Sequence, residues 1–202
     1  MEFKFFLYFL IVFSAVFHEY LHAWMANYLG DPTAKYAGRL TLNPLKHLDP
    51  MWTVFIPLVL LFFFGGFIGA AKPVPYNPYN LKDQKYGSIK VGLAGPGANF
   101  FIALIFGLFL RFAPLPAILY LLFSWIVYIN IFLGLFNLLP VPPLDGSKLL
   151  FYFFPASRTL QFLEYSFLGI FLAITVAFMF LPFLASLIYV LIAGTIFSGL
   201  AF

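Results

Sequence analysis

The sequence predicts an all-α polytopic membrane protein with about five to six transmembrane helices. Its 202 residues are 63% hydrophobic and only 9% charged, and the mean hydropathy is +1.00, whereas a soluble domain carries about 25% charged residues. A helix needs about 20 apolar residues to cross a bilayer. Runs that meet this length lie at residues 3–29, 51–71, 89–112, 115–138, 159–181 and 183–202.

Three polar stretches interrupt these runs. The first, GDPTAKYAGRLTLNPLKHLDP at 30–50, combines turn residues with β-prone pieces and predicts a small β element between the first helix and the helix at 89–112. The second, residues 71–90, has four lysines and three prolines and cannot form one continuous helix. The third, residues 137–158, contains three prolines just before Asp145. It predicts a broken helix at membrane depth, which is tolerated only against protein or a wet cavity.

Charge and cysteine content exclude several classes of function. The formal net charge of +4 is modest and lies in loops, so it indicates membrane orientation and no nucleic-acid partner. The chain has no cysteine, which excludes disulfides, thiolate metal ligands and a thiol nucleophile. The first apolar run is longer than a signal-peptide core and lacks a convincing cleavage site. We therefore expect it to be a retained helix.

The first helix contains the motif HEYLH at residues 18–22. On a helix, His18 and His22 lie one turn apart on the same face, where both can bind one Zn²⁺ while Glu19 acts as general base. The alternative is that both histidines only hydrogen-bond to neighbouring helices. Insertion of an ionisable residue in a membrane costs about 2.5–3.5 kcal/mol, and zinc is the partner that satisfies all three side chains. The motif therefore predicts a metal site.

A catalytic zinc requires a third protein ligand and an open position. A third histidine at the spacing of the longer zincin motif would fall on Tyr28 and is absent. An interfacial carboxylate is the simpler interpretation of Glu164, and His47 is interpreted as a structural or outer-shell histidine. Asp145, which lies between the prolines and Gly146, is the best candidate for the third ligand. The other acidic residues are interpreted as chain-terminal or solvated turn residues: Glu2, Asp31, Asp49 and Asp83.

The depth of the three predicted ligands constrains the topology. His22 lies about 10 Å from the exit end of the first helix at about 1.5 Å per residue, and Asp145 follows the exit end of the 115–138 helix. These helices must therefore run in the same direction, with an odd number of crossings between them. The number of crossings is odd if 51–71 re-enters the membrane as a hairpin. This segment contains residues that suit a hairpin, Pro57, Gly65, Gly66 and Gly69. This interpretation gives five true crossings.

The basic residues agree with the hairpin. If 51–71 re-enters the membrane, only Lys4 and Arg111 lie on one side and all the other basic residues lie on the opposite side. A full crossing would instead divide the 11 basic residues seven to four. By the positive-inside rule, the side with more basic residues is the cytoplasmic side. The sequence thus predicts an N-terminus outside the cytoplasm and a site nearer the cytoplasmic face. The residues predicted on the cytoplasmic side are Lys35, Arg39, Lys46, Lys72, Lys82, Lys85, Lys90, Lys148 and Arg158.

Five ordered motifs resemble the site-2 protease family of intramembrane zinc metalloproteases, in its compact branch without PDZ or CBS domains. They are HEYLH, GRLTLNPLKHLDP, KPVPYNPYN, AGPGAN and NLLPVPPLDG, and they span residues 18–146. Trp52 is a departure, because relatives usually have glycine there, and it puts the tightness of that turn in doubt. The resemblance covers nearly two thirds of the chain.

The resemblance implies a role for individual residues. His18, His22 and Asp145 would be the zinc ligands and Glu19 the general base. Asn137 would support the substrate or the tetrahedral intermediate. Asn99 would lie on the helix beside the catalytic helix, where an interhelical hydrogen bond is the simpler alternative to a catalytic role. Residues 66–77 would include a strand that pairs with an unwound substrate.

The predicted function is hydrolysis of peptide bonds in or near the transmembrane segments of membrane-protein substrates, with one Zn²⁺ per chain. We expect one domain over residues 1–202, with a catalytic core at 1–150 and accessory helices at 159–202. The protein would be a multi-pass protein of the cell membrane, in contact with the lipid bilayer and a transmembrane substrate. Two alternatives stay open, a noncatalytic zinc-binding scaffold or ion transporter and a zinc protease of another membrane family with Glu164 as third ligand. Oligomeric state is not predicted.

Overall fold

The computed structural model describes residues 2–55 and 72–197, and every regular element within them is helical. Short 3₁₀ turns at Pro44–Lys46 and Pro78–Asn80 and a π-helical segment at Pro50–Phe55 connect the longer elements. The α-helices, in chain order, are α1 (Glu2–Tyr28), α2 (Thr33–Tyr36), α3 (Gly87–Phe112), α4 (Ala117–Leu138), α5 (Ser147–Phe153), α6 (Arg158–Glu164) and α7 (Phe167–Ala193).

Four helices in the described residues are long and apolar enough to cross a membrane. They are Phe3–Tyr28, Gly87–Phe112, Ala117–Leu138 and Phe167–Ala193, and the shortest has 22 residues. Because about 20 helical residues span the hydrocarbon core, the predicted all-helical, multi-pass membrane fold is confirmed. Of the predicted hairpin at 51–71, residues 56–71 lie outside the described part of the chain.

The C-terminal region differs from the prediction of two spans. A single helix, α7, runs through both predicted runs from Phe167 to Ala193 and contains Pro182 in its interior. Proline removes one helical hydrogen bond, but in a membrane helix neighbouring groups can compensate for that loss. The predicted division into two spans at Pro182 is therefore wrong. Residues Arg158–Glu164, at the start of the first predicted run, form the separate short helix α6.

No strand occurs in the described residues, so the predicted β element is not found there. In the stretch AKYAGRLTL, the first residues form α2, and Gly38 ends this helix with a φ of +66°. The Gly38 amide bonds to the Lys35 carbonyl at 3.0 Å and the Arg39 amide to the Ala34 carbonyl at 2.9 Å. These local bonds use the backbone groups that strand pairing needs. Residues 72–77 are irregular backbone.

The chain divides into two compact units, one ending at Gly95 and one beginning at Pro96. In the first unit α1 ends in a Schellman turn, in which the Gly30 amide bonds to the Asn27 carbonyl and the Asp31 amide to the Ala26 carbonyl. Gly30 has a φ of +105°, a conformation that glycine adopts without steric cost. Ala26 also packs with Leu81 in a small buried cluster. The turn thus places Asp31 directly beyond the apolar part of α1.

The second unit is built on packing between α4 and α7. Its core contains Ile131 of α4 and Tyr189 of α7, and the Tyr128 ring stacks on the Phe197 ring with centroids 4.2 Å apart. Small side chains let membrane helices approach closely, and the buried residues of α7, which recur every four positions, are small at five of seven places. The buried residues of α7 are Gly169, Ala173, Ala177, Leu181, Ala185, Tyr189 and Ala193.

Candidate metal centre

Two of the three histidines in the first unit, His18 and His22, point their Nε2 atoms at each other. His18 and His22 lie one turn apart on α1, are 7% and 8% exposed, and have their Nε2 atoms 2.9 Å apart. The ring planes meet at 83°, so the rings are not stacked face to face and both nitrogens are directed at one place. Two imidazole nitrogens that converge in a buried position are a suitable pair of ligands for Zn²⁺, which bonds histidine nitrogen at about 2.0–2.1 Å.

A backbone contact fixes the form of His22 that can bind a metal. Its Nδ1 lies 2.7 Å from the carbonyl oxygen of Val91 on α3. A carbonyl only accepts hydrogen bonds, so in the neutral imidazole Nδ1 carries the hydrogen and Nε2 keeps its lone pair. Metal-binding histidines commonly donate their second ring nitrogen in this way. The arrangement therefore fits a metal ligand.

Gly95 leaves open the space in front of the histidine nitrogens. A Cβ added at this residue would lie 2.3 Å from His22 Nε2 and 2.6 Å from His18 Nε2. Any other residue would clash with both nitrogen atoms and would fill the space in which a metal could bind them. The AGPGAN motif contained this residue, but its role depends on the approach of α3 to α1, which no sequence spacing reveals.

Glu19 is held by a main-chain donor. Its Oε2 accepts a hydrogen bond of 2.8 Å from the amide of Val74. Glu19 is half-buried on α1, directly after the first histidine. The first unit therefore brings together the three residues of the HEYLH motif that sequence reasoning selected, and one carboxylate oxygen of Glu19 is fixed by backbone.

Asp31 is not the solvated turn residue that the sequence suggested. It is 0% exposed, and its carboxylate accepts bonds from the Thr33 hydroxyl at 2.6 Å, the Asn80 amide side chain at 2.9 Å and the Asn77 backbone amide at 2.6 Å. Burial by itself would raise the pKa of Asp31, but these hydrogen bonds outweigh it and lower the pKa. Asp31 therefore joins the end of α1 to the segment around Asn77.

In the second unit, Asp145 and Asn137 belong to one turn. The amide of Gly146, next to Asp145, donates to the Asn137 carbonyl at 2.7 Å. A Cβ at Gly146 would lie 2.2 Å from the Leu138 carbonyl oxygen, so only glycine fits there. The side-chain amide of Asn137 donates to the Leu133 carbonyl of its own helix at 3.0 Å. Asp145 is half-buried just before α5, and its role as the third ligand stays a prediction.

The remaining acidic candidates have other partners. Asp49 accepts a bond from the Met51 amide at the start of the π-helical segment. Asp83 pairs with Lys90 at 2.5 Å, and the hydrogen bond from Lys90 lowers the pKa of Asp83. Glu164 lies 3.8 Å from the Lys148 ammonium, which favours its interpretation as an interfacial carboxylate.

Two polar residues of the family motifs are fully buried within their own units. His47 Nε2 contacts the Thr41 carbonyl at 2.8 Å, while Nδ1 has no hydrogen-bond partner among the described residues. Asn99 donates to the Asn130 side chain at 3.1 Å, and both are 0% exposed. Asn99 thus makes the interhelical hydrogen bond that the sequence analysis gave as the simpler alternative.

Comparisons with known proteins point to one group. The family model described as Peptidase family M50 matches residues 115–182. YwhC of Bacillus subtilis, named as a candidate zinc metalloprotease, is 40% identical over 150 residues, 69% of this chain and 65% of YwhC. Rip2 of Mycolicibacterium smegmatis, named likewise, is 36% identical over 136 residues, 66% of this chain and 51% of Rip2.

An archaeal protein extends the comparison. MJ0611 of Methanocaldococcus jannaschii, also named as a candidate zinc metalloprotease, is 31% identical over 139 residues, 67% of this chain and 63% of MJ0611. The chain thus spans about half to two thirds of the length of these relatives. No solved structure matches the chain significantly.

Proposed function

Because this chain is related to peptidase family M50, we propose that it is an intramembrane zinc metalloprotease. Its substrates would be membrane proteins, cleaved in or near a transmembrane segment. The observation that carries the proposal is the pair of buried histidine nitrogens 2.9 Å apart on α1, with Glu19 between them in sequence. Residues 1–202 would form one protease domain, with the core at 1–150 and accessory helices at 159–202.

In the proposed mechanism His18, His22 and Asp145 would hold one Zn²⁺ per chain. The ion, when bound, would polarise a water molecule and the scissile carbonyl. Glu19 takes a proton from the attacking water and delivers it to the leaving amine. The hydrogen bond from the Val74 amide keeps one oxygen of the Glu19 carboxylate in place, so the other oxygen is left for this transfer. Asn137 supports the substrate or the tetrahedral intermediate, as the family resemblance implies.

The substrate must be unwound where it is cut, because the amides of an intact helix are shielded by their own hydrogen bonds. Backbone groups freed in the membrane need new partners, and the irregular residues 72–77 next to Glu19 could supply main-chain groups for this purpose. The carboxylate of Glu164 has a partner in Lys148, so we do not assign it to the metal. No observation favours the scaffold or transporter alternative.

The proposal is tested by metal content and metal removal. We expect the purified protein to contain one zinc per chain and to cleave a single-span test substrate within its transmembrane segment. Treatment with a chelator should abolish cleavage, and added Zn²⁺ should restore it, because no other group in the motif can activate water equally well. Zinc at this stoichiometry without cleavage of any transmembrane substrate would instead support a noncatalytic scaffold.

We also propose that 51–71 re-enters the membrane, that the N-terminus lies outside the cytoplasm and that the site opens toward the cytoplasm. A reporter fused near residue 80 should then be cytoplasmic, as the positive-inside rule requires for a segment with lysines at 72, 82, 85 and 90. A matched fusion after Phe112 should report the opposite side. A reporter near residue 80 that reads extracytoplasmic would contradict this topology.

A further inference from the structure

Val74 is the only residue of the Pro73–Val74–Pro75 tripeptide that has a backbone N–H, because proline lacks one. That single donor makes the 2.8 Å bond to Glu19 Oε2. The prolines on both sides also restrict the backbone angles. The amide is therefore presented to the carboxylate by a stiff segment.

The segment is anchored at its far end to the end of α1. Asp31 accepts from the Asn77 amide and the Asn80 side chain, and the Lys82 amide donates to the Leu29 carbonyl at 2.8 Å. Asp31 is itself fixed by the Schellman turn that closes α1. Both ends of residues 74–82 thus bond to α1, one at Glu19 and one just beyond its last turn.

We propose that the Val74 amide and the Asp31 carboxylate are positioning groups for Glu19. Asp31 fixes residues 77–80 on the end of α1, which sets the position of Val74, and the Val74 amide in turn holds the Glu19 carboxylate in one orientation. The inference rests on the proposed function, since it takes Glu19 to be the general base. Neither group touches the substrate or the metal in this role.

The expected effect is on the chemical step. A glutamate side chain has three rotatable bonds, and without a fixed donor its carboxylate samples several rotamers. A displacement of about 1 Å in a reacting group can cost about 10²-fold in rate. We therefore expect Val74→Pro, which removes the N–H, to lower kcat by about 10–100-fold while KM and zinc content stay at wild-type values.

Two further variants separate the amide from its surroundings. Val74→Ala keeps the N–H and should lose less kcat than Val74→Pro. Where the proline variant fails to fold, replacement of the Val74 amide by an ester removes the same N–H without a second ring. Equal losses for the alanine and the proline or ester variants would assign the effect to the side chain and overturn the proposal.

The anchor is tested by Asp31→Asn, which keeps the size of the side chain but replaces one acceptor oxygen with a donor. We expect a roughly tenfold loss of kcat with unchanged zinc and KM. Asp83→Asn is the matched control, because Asp83 lies nearby and its partner Lys90 is exposed. The control should keep wild-type kcat.

The outcomes separate this inference from the proposed function. Wild-type kcat in both the N–H deletion and Asp31→Asn overturns the positioning roles, while an inactive Glu19→Gln variant still supports the protease. Loss of zinc together with kcat would show that the segment holds the metal site and would also overturn the inference. Absence of zinc and of cleavage in the wild-type chain would overturn the proposed function itself.

Discussion

Replacement of Glu19 with glutamine is expected to abolish cleavage while zinc stays bound. The glutamine side chain has the same shape, and its carbonyl oxygen can still accept the bond from the Val74 amide. The amide group cannot take a proton from water, however, so the general base is lost. General acid–base catalysis contributes about 10²–10⁴-fold to rate, and we expect a loss of kcat of at least this size. The measurement is the initial rate on a single-span test substrate.

The zinc content of the Glu19→Gln variant is the internal control. His18 and His22 keep their geometry, because the Val91 carbonyl and the space at Gly95 are unchanged. One zinc per chain with no cleavage is therefore the expected combination. Cleavage at the wild-type rate would remove Glu19 from the mechanism and require another base.

The sequence was sufficient for the part of the site that lies within one helical turn. Residues 18, 19 and 22 are tied together by the period of an α-helix, so their proximity follows from the motif. Gly95 and Val74 could not be assigned in this way, since their contacts with α1 join residues at least 55 positions apart. Asp31 was misjudged for a related reason. A polar residue after a helix is usually solvated, and its burial depends on partners at 77 and 80.

The errors in the fold also have physical causes. Pro182 suggested a break between two helices, but a long membrane helix can accommodate one proline. The stretch after α1 has β-prone residues, yet Gly38 closes a local turn there before any pairing can occur. In neither case did the local propensity of the residues decide the structure. The membrane helix accommodates Pro182, and local hydrogen bonds close the turn at Gly38. Long apolar helices were predictable because length and hydropathy alone define them.

The position of the proposed third ligand has a further consequence for how a metal site would be assembled. Two of the proposed ligands lie on one turn of α1, and the proposed third lies in a turn after α4 whose shape depends on Gly146. A metal that needs all three would join residues more than a hundred positions apart in the chain. Metal binding would therefore also stabilise the fold, as it does wherever ligands come from distant parts of a chain.

Replacement of Asp145 with alanine is accordingly expected to remove both zinc and cleavage. A catalytic zinc has three protein ligands, and the loss of an outer-shell partner alone reduces metal affinity by about 10–100-fold. Loss of a direct ligand should exceed that, so the purified variant should retain little zinc. Zinc per chain and thermal unfolding with and without added Zn²⁺ are the two measurements. The wild type should be stabilised by the metal and the variant should not.

Glu164→Gln is the matched control, because it removes the other carboxylate proposed as third ligand and leaves Asp145 intact. Glu164 pairs with Lys148, a partially exposed ion pair of the kind worth about 0–1 kcal/mol, so this variant should keep its zinc and its cleavage rate. The reverse result, with zinc lost from Glu164→Gln and kept by Asp145→Ala, would assign the third ligand to Glu164. It would also contradict the helix directions inferred from Asp145, since they require the ligand to follow α4 at the depth of His22.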